Sequence, residues 1–272
     1  MLNRRNRTIA VAASAAFLLI LITFLGQLWN SAALVTDFSR KNLSPNFTYL
    51  FGTDFLGRDM LRRTLTGLSM SIRLGVITSA VSALLALILG TASAVCGKIA
   101  DRLVSGLIDL VMGIPHILLL ILISFACGKG FKGVVIGISL THWPSLARLI
   151  RAEVMQLKES QYVKISEKLG MGKWRIAGTH MLPHLLPQFF TGLVLLFPHA
   201  ILHEASITFL GFGLAPEEPA IGVILSESMK YLMTGKWWLA AFPGAALVLV
   251  VLLFQSLGAN ISSLMDPGSA HE

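Results

Sequence analysis

Two histidines and a glutamate stand close together in an otherwise apolar stretch of the sequence. His199 and His203 are four positions apart, so on a helix they share one face, while Glu204 lies about 100° further round the axis. Neutral imidazoles are common ligands of nickel and similar ions. The pair therefore predicts either contact with a metal or metal chelate, or hydrogen bonding between neighbouring helices.

Of three patterns that could carry enzyme chemistry, two are incomplete and the third stands in the wrong context. The zinc-protease pattern H-E-x-x-H would begin at His203, but residue 207 is isoleucine. Residues 172–173 are Gly-Lys but lack the first glycine and the hydroxyl residue of a phosphate-binding loop. Residues 128–133 fit G-x-G-x-x-G but join two apolar runs, which predicts a tight turn and not a dinucleotide site. No catalytic residue is predicted, and an intramembrane metal-dependent enzyme is only a remote alternative.

Long apolar runs carry these residues. Of the 272 residues, 54% are hydrophobic and only 13% are charged, and the mean hydropathy is +0.73. A helix of roughly 20 apolar residues crosses a bilayer, and the runs lack the period-two alternation of barrel strands. We therefore predict an all-α, polytopic transmembrane protein whose six spans cover residues 8–29, 74–97, 103–127, 133–147, 185–214 and 237–265.

The flanks of the runs predict how the chain is oriented. The first run follows an arginine-rich start and is expected to be an uncleaved anchor and not a signal peptide. Twelve lysines and arginines in residues 4–7 and in loops 98–102 and 148–175 stand against nine on the other side, which places both termini in the cytoplasm. The net charge of +8 fits anionic membrane lipid, so no nucleic-acid partner is expected. The fourth run contains Pro144 and is expected to be short or kinked.

This topology divides the chain into three parts. Residues 1–73 form an anchor helix and an external segment, residues 74–265 a core of five spans, and residues 266–272 a short cytoplasmic tail. Outside the spans lie an external stretch at 30–73, a cytoplasmic stretch at 148–186 and a second external stretch at about 212–236.

The cytoplasmic stretch contains a short amphipathic pattern. Tyr162, Ile165 and Leu169 follow at i, i+3 and i+7, which predicts one apolar helix face, and Gly170 is expected to end that helix. Such a helix either lies on the bilayer or docks a cytoplasmic partner.

The same stretch resembles the coupling-helix motif of the membrane subunits of bacterial ATP-binding-cassette (ABC) importers. That motif reads Glu-Ala-Ala, three residues, Gly, nine residues, Ile, one residue, Leu-Pro, and a matching Gly and Leu-Pro occur here in register. Lys164 to Ser166 replace Glu-Ala-Ala, and His180 replaces Ile, so the acidic residue of the motif is missing. The resemblance implies that an ATPase is coupled through Tyr162, Lys164, Ser166, Gly170, Leu182 and Pro183.

Two further segments narrow the resemblance to the dipeptide, oligopeptide and nickel importers, and to the second of their two permease subunits. One is residues 208–213, Thr-Phe-Leu-Gly-Phe-Gly, with Asp266-Pro267 closing the chain. The family's external signature ahead of the second span is matched by Gly52, Thr53, Asp54, Gly57, Arg58 and Asp59.

The resemblance implies a six-helix type I importer permease with a coupling helix between spans 4 and 5. It implies a homologous second permease, two cytoplasmic ATPases that use ATP and Mg²⁺, and an extracytoplasmic solute-binding protein. No cofactor is expected on this chain itself. The histidines favour nickel or a metal chelate as cargo, with peptides as the alternative and His199 and His203 as metal ligands. Candidate pathway residues are His199, His203, Glu204, Phe209, Gly211, Asp109 and His142; for Asp109, pairing with an arginine or a backbone donor is also expected.

Overall fold

A computed structural model describes residues 4–265 as a bundle of helices, with no β-strand in that range. The predicted tail 266–272, with its Asp266-Pro267 pair, lies outside the described residues. The helices are α1 (Arg4–Leu28), α2 (Asn30–Ala33), α3 (Met60–Val95), α4 (Lys98–Gly113), α5 (His116–Ala126), α6 (Phe131–Lys158), α7 (Gln161–Lys168), α8 (Lys173–Ile176), α9 (Leu182–Phe209), α10 (Ile221–Leu232) and α11 (Trp238–Met265).

Five helical stretches are long and apolar enough to cross a membrane. They are α1, α3, α6, α11 and the stretch Lys173–Phe209, in which a π-helical segment, Ala177–Met181, joins α8 to α9. The pair α4 and α5 meets the same criterion only together, with a bend of 100° between the two helices. Counting this pair as one crossing gives six spans, which confirms the predicted all-α polytopic fold.

The third predicted run, 103–127, is not one helix, and the structure corrects this expectation. α4 ends at Gly113, and Ile114 adopts extended backbone angles of φ −92° and ψ 138°. Pro115 then precedes α5. A proline disfavours the helical conformation in the residue before it and has no N–H to donate, so Pro115 favours a break of the apolar run at this point.

Several helices extend beyond the apolar runs. α3 begins at Met60 and not at residue 74. Its first turns carry polar side chains such as Arg63 and Thr64, which are buried among other helices, so hydropathy did not include them in the span. α6 has 28 residues with Pro144 inside it, so the fourth span is longer than expected. Hydropathy marks the apolar part of a helix, whereas backbone hydrogen bonds continue through polar turns that other helices cover.

α3 is the central helix and packs against α1, α6 and α9. Glycines permit these close approaches. A Cβ atom on Gly90 would lie 2.7 Å from the Ala147 carbonyl oxygen of α6, and one on Gly75 would lie 2.9 Å from the ring of Phe197 in α9. The helices that carry the candidate residues are therefore held at backbone contact distance.

Candidate functional site

Three histidines from three helices meet beside the break between α4 and α5. His116 begins α5, His142 lies midway along α6, and His203 lies near the end of α9. One ring nitrogen of each lies within 4.8 Å of one ring nitrogen of the other two. The ring centroids are 4.4 Å apart for His116 and His203, 4.7 Å for His116 and His142, and 5.1 Å for His142 and His203. We call these three residues the histidine cluster.

The predicted pair of histidines is divided by this arrangement. His203 belongs to the histidine cluster, whereas His199 is exposed and lies outside it. Both line the same cavity of about 360 Å³, together with His116, His142 and the hydroxyl residue Ser145. His116 was not among the predicted site residues. Its signal in the sequence is the proline before it, because a broken apolar run is where transporters place ligand groups.

Hydrogen bonding fixes one ring of the cluster. His142 Nδ1 lies 3.0 Å from the Ile138 carbonyl oxygen, and it must donate because a carbonyl only accepts. The Thr141 hydroxyl lies 3.1 Å from the same nitrogen. The Nε2 atoms of His142 and His116 are buried and have no hydrogen-bond partner in the described part of the chain.

Glu204 is buried away from the cavity and links two spans. It accepts hydrogen bonds from the Ser71 hydroxyl of α3 at 2.6 Å and from the Thr208 hydroxyl at 3.0 Å. The Thr208 hydroxyl also accepts from the Leu214 backbone N–H at 3.2 Å. Neither Phe209 nor Gly211, which has a φ of +84°, lines the histidine cavity; they lie at the end of α9 and in the turn after it.

Asp109 lies on the surface of α4 and pairs with an arginine. The Arg148 guanidinium of α6 donates to the Asp109 carboxylate at 2.9 Å, and both side chains are more than half exposed. This pair links α6 to α4, the helix that precedes the break.

The external signature folds around a buried carboxylate. Asp54 accepts from Arg58 Nε at 2.6 Å and from Arg63 Nη1 at 3.1 Å. Glu227 of α10 accepts from the same two arginines, at 3.4 Å from Arg58 and 2.6 Å from Arg63. Two arginines and two carboxylates thus tie the external segment to α3 and α10. Glu227 was not predicted, because it stands 164 positions after Arg63.

The remaining signature residues shape the loop that carries Asp54. The Thr53 hydroxyl donates to the Arg40 carbonyl and accepts a backbone N–H from the same loop. Gly52 and Gly57 have φ values of +72° and +76°, in the region that favours glycine. Asp59 caps α3 by accepting the backbone N–H groups of its first turn. The signature therefore maintains the fold of this segment.

The predicted coupling region forms the short helix α7. Val163 is buried against the rest of the chain, whereas Tyr162, Ile165 and Leu169 are 44%, 57% and 78% exposed. Gly170 has a φ of +83°, and the N–H groups of residues 170 and 171 bond back to the carbonyls of residues 167 and 166. This is a Schellman motif, which confirms that Gly170 ends the helix.

Polar contacts hold α7 against its neighbours. The Lys164 ammonium lies 2.7 Å from Glu159, and this hydrogen bond lowers the pKa of the Glu159 carboxyl. The Ser166 hydroxyl donates to the Tyr162 carbonyl at 2.9 Å and lies 3.3 Å from His180 Nε2. The other two predicted coupling residues, Leu182 and Pro183, begin α9.

A six-span bundle with an exposed apolar helix at one end and a polar cavity at a broken span defines a membrane transport subunit. The chain belongs to the family of binding-protein-dependent transport system inner membrane components, which matches residues 82–267. It is therefore a permease subunit of an ABC importer and not an enzyme, it resides in the inner membrane, and it works with ATPase and binding-protein partners.

The relatives in this family match almost the whole chain. The dipeptide transport system permease protein DppC of Bacillus subtilis is 28% identical over 97% of this chain and 84% of its own length. A putative peptide transport system permease protein of Brucella abortus is 31% identical, covering 97% and 88% of the two chains. The probable D,D-dipeptide permease DdpC of Escherichia coli is 28% identical, covering 98% and 89%.

The fold is also similar to a solved importer. A chain of the MetNI methionine ABC transporter in an inward-facing conformation superposes with a TM-score of 0.61. The match covers 76% of this chain and 98% of that chain at 19% identity. This likeness concerns the fold alone and agrees with the predicted type I importer permease architecture.

Proposed function

We propose that this chain forms half of a translocation pathway for di- or oligopeptides across the inner membrane, paired with a homologous second permease subunit. The observation that carries the cargo assignment is that relatives matched over nearly the whole chain are named dipeptide or peptide permeases. This assignment reverses the order of the expectations drawn from the histidines, which placed nickel or a metal chelate first.

The exposed face of α7 is the docking surface that we assign to a partner ATPase. Ile165 and Leu169 present apolar surface, and Trp174, 64% exposed, extends it onto α8. A groove of about 450 Å³ beside α7 is lined by Glu153, Glu159, Tyr162 and His184 among others. Glu159 pairs with Lys164 and Glu153 lies 3.7 Å from His184, so the apolar ridge is the part of this surface that is left for a partner, and it suits a partner surface that is apolar at its centre.

The cytoplasmic location of α7 follows from the proposed orientation. With the N-terminus inside, the basic loops lie in the cytoplasm and favour this topology through the anionic inner leaflet. The external loop around Asp54 and helix α10 then face the binding protein. In this arrangement two partner ATPases consume ATP and Mg²⁺, and their closure moves α7, which drives alternating access of the pathway.

Uptake in a strain lacking this gene tests the cargo. We expect labelled di- and oligopeptide uptake to fall in the deletion strain and to return when the gene is restored, with total cellular nickel unchanged. Cellular metal is measured in the same cultures, grown in metal-limited medium, by elemental mass spectrometry. Peptide uptake that is identical in the two strains would contradict the proposal.

A metal or metal chelate is the second candidate cargo. It is favoured by the four histidines that line one cavity in the bundle: His116, His142, His199 and His203. A selective, restorable loss of nickel or a neighbouring ion in the same experiment, with normal peptide uptake, would establish this candidate in place of the first.

A further inference from the structure

The histidine cluster contains hydrogen-bonding groups that the described part of the chain leaves unpaired. Buried polar nitrogens in proteins are nearly always paired with protein or water. Here the Nε2 atoms of His116 and His142 are buried without a partner. His142 as a whole is only 7% exposed. These two ring nitrogens lie beside a third histidine and line the same cavity, so both can bind a ligand there.

The tautomer of His142 makes its unpaired nitrogen a ligand atom. Because Nδ1–H donates to the Ile138 carbonyl, the neutral ring has its lone pair on Nε2. A backbone carbonyl that holds the other ring nitrogen is the usual support of a metal-binding histidine, since it fixes both the tautomer and the ring orientation. One residue of the cluster thus already has the hydrogen bonding of a ligand.

We propose that His116, His142 and His203 bind one divalent transition-metal ion of the kind that prefers imidazole, such as Ni²⁺, Zn²⁺ or Co²⁺. Bonds of about 2.0–2.1 Å place the nitrogens of a tetrahedral site about 3.3 Å apart. The three nitrogens lie within 4.8 Å of one another before any ion is bound, so small side-chain rotations close the site. The three ligands come from three different helices, α5, α6 and α9, and converge on one place between them.

The site is open on one side. His199 and Ser145 line the adjoining cavity of about 360 Å³, which leaves a fourth position for water or for a donor atom of a passing solute. Three protein ligands and an open position are typical of metal sites that exchange ligands, whereas structural sites are closed by four. The fourth ligand of the ion is therefore expected to exchange through the cavity. This inference is independent of the peptide assignment, since it concerns the site and not the cargo.

Metal binding to the assembled importer tests the proposal. The complex is purified with its partner subunits through a tag without histidines, stripped with a chelator and dialysed against Ni²⁺. We expect one ion per copy of this chain above the amount bound by a His116→Gln, His142→Gln, His203→Gln triple variant. Equal binding by the wild type and the triple variant would overturn the proposal.

Single variants identify the ligands. His142→Gln should weaken Ni²⁺ binding by more than about a hundredfold, because loss of a ligand exceeds the 10- to 100-fold effect of losing a supporting hydrogen bond. His184→Gln is the matched control, since it changes an exposed histidine outside the histidine cavity and should leave the Ni²⁺ affinity unchanged. If His199→Gln abolished binding and His142→Gln did not, the assigned ligand set would be wrong.

Cobalt spectroscopy gives a result that does not depend on any variant folding. Co²⁺ bound by three histidine nitrogens and one further ligand in tetrahedral geometry absorbs strongly in the visible range, whereas hydrated Co²⁺ absorbs weakly. We expect the wild-type complex to show the intense tetrahedral bands at one equivalent of Co²⁺. A spectrum indistinguishable from that of hydrated Co²⁺ would contradict the site.

Discussion

Leu169 offers the sharpest test of the proposed docking surface. It caps the C-terminus of α7 and is 78% exposed, more than Tyr162 or Ile165, so replacing it with serine removes little from the fold of this chain. Its neighbour Gly170 maintains the helix end with its backbone alone and is unaffected. We therefore expect Leu169→Ser to leave the subunit folded and to weaken its complex with the partner ATPase.

The exposed fraction sets the size of the effect. Burying a whole leucine side chain contributes about 1.5–3 kcal/mol, so covering the exposed 78% of Leu169 contributes about 1.2–2.3 kcal/mol if the ATPase buries it fully. At about 1.4 kcal/mol per factor of ten, the ATPase should bind about 7- to 45-fold more weakly. Partial coverage by the partner gives a proportionally smaller loss.

Leu210 provides a matched control at the other end of the same span. It also caps a helix, is 52% exposed, and precedes a glycine with a positive φ, Gly211 at +84°. The stretch Lys173–Phe209, whose 37 residues make about 55 Å of helix, lies between the two leucines. The affinity of the purified ATPase for nanodiscs containing each variant is measured at equilibrium. Equal weakening by Leu169→Ser and Leu210→Ser, or no weakening by Leu169→Ser, would refute the docking role of α7.

Three further predictions concern buried charge, the end of α7 and a buried carboxyl. Arg63→Ala removes the more buried of the two arginines that Asp54 and Glu227 share, leaving only Arg58, and should lower the free energy of unfolding by up to about 3–5 kcal/mol, whereas Arg62→Ala, at a side chain 48% exposed, should change it by less than about 1 kcal/mol; thermal melts in detergent compare them. Gly170→Ala places a side chain at φ +83° and should destabilise the end of α7 by about 1–2 kcal/mol, while Gly172→Ala, at φ −65°, should be neutral. Stimulation of the partner ATPase is measured for both variants, and equal stimulation would show that this turn need not be rigid. Glu204→Gln keeps an acceptor for a buried hydroxyl and should melt close to the wild type, whereas Glu204→Leu leaves the Ser71 and Thr208 O–H donors without their acceptor and should cost about 1–3 kcal/mol for each; a glutamine variant as unstable as the leucine variant would mean that the charge is required.

Local signals in the sequence predict the spans and the end of α7 well. Apolar runs identify the lipid-facing part of each span, and Gly170 marks a helix end because it permits a backbone conformation that other residues disfavour. The start of α3 could not be predicted in this way. Its first turns hold Arg63 and Thr64, whose burial depends on helices that come much later in the chain.

Periodicity identifies the apolar face of α7 without showing which face is buried. Tyr162, Ile165 and Leu169 form the predicted face, but the chain buries Val163 and Ser166 instead. An apolar face of a short helix is normally expected to point inward. In this chain it points outward, and that reversal gives the resemblance to a coupling helix a physical basis, because an uncovered apolar face requires a partner.

The histidine cluster shows most clearly what spacing alone cannot provide. A spacing of four residues can bring together side chains of one helix only, and His199 and His203 satisfy it without sharing a site. The third span had to break before α5 could bring its first residue, His116, to His203. The break falls at Gly113, Ile114 and Pro115, inside an apolar run that shows no interruption in hydropathy, and Pro115 disfavours a helical conformation at Ile114. We therefore expect the geometry of the cavity to depend more on Pro115 than on any residue of the predicted pair.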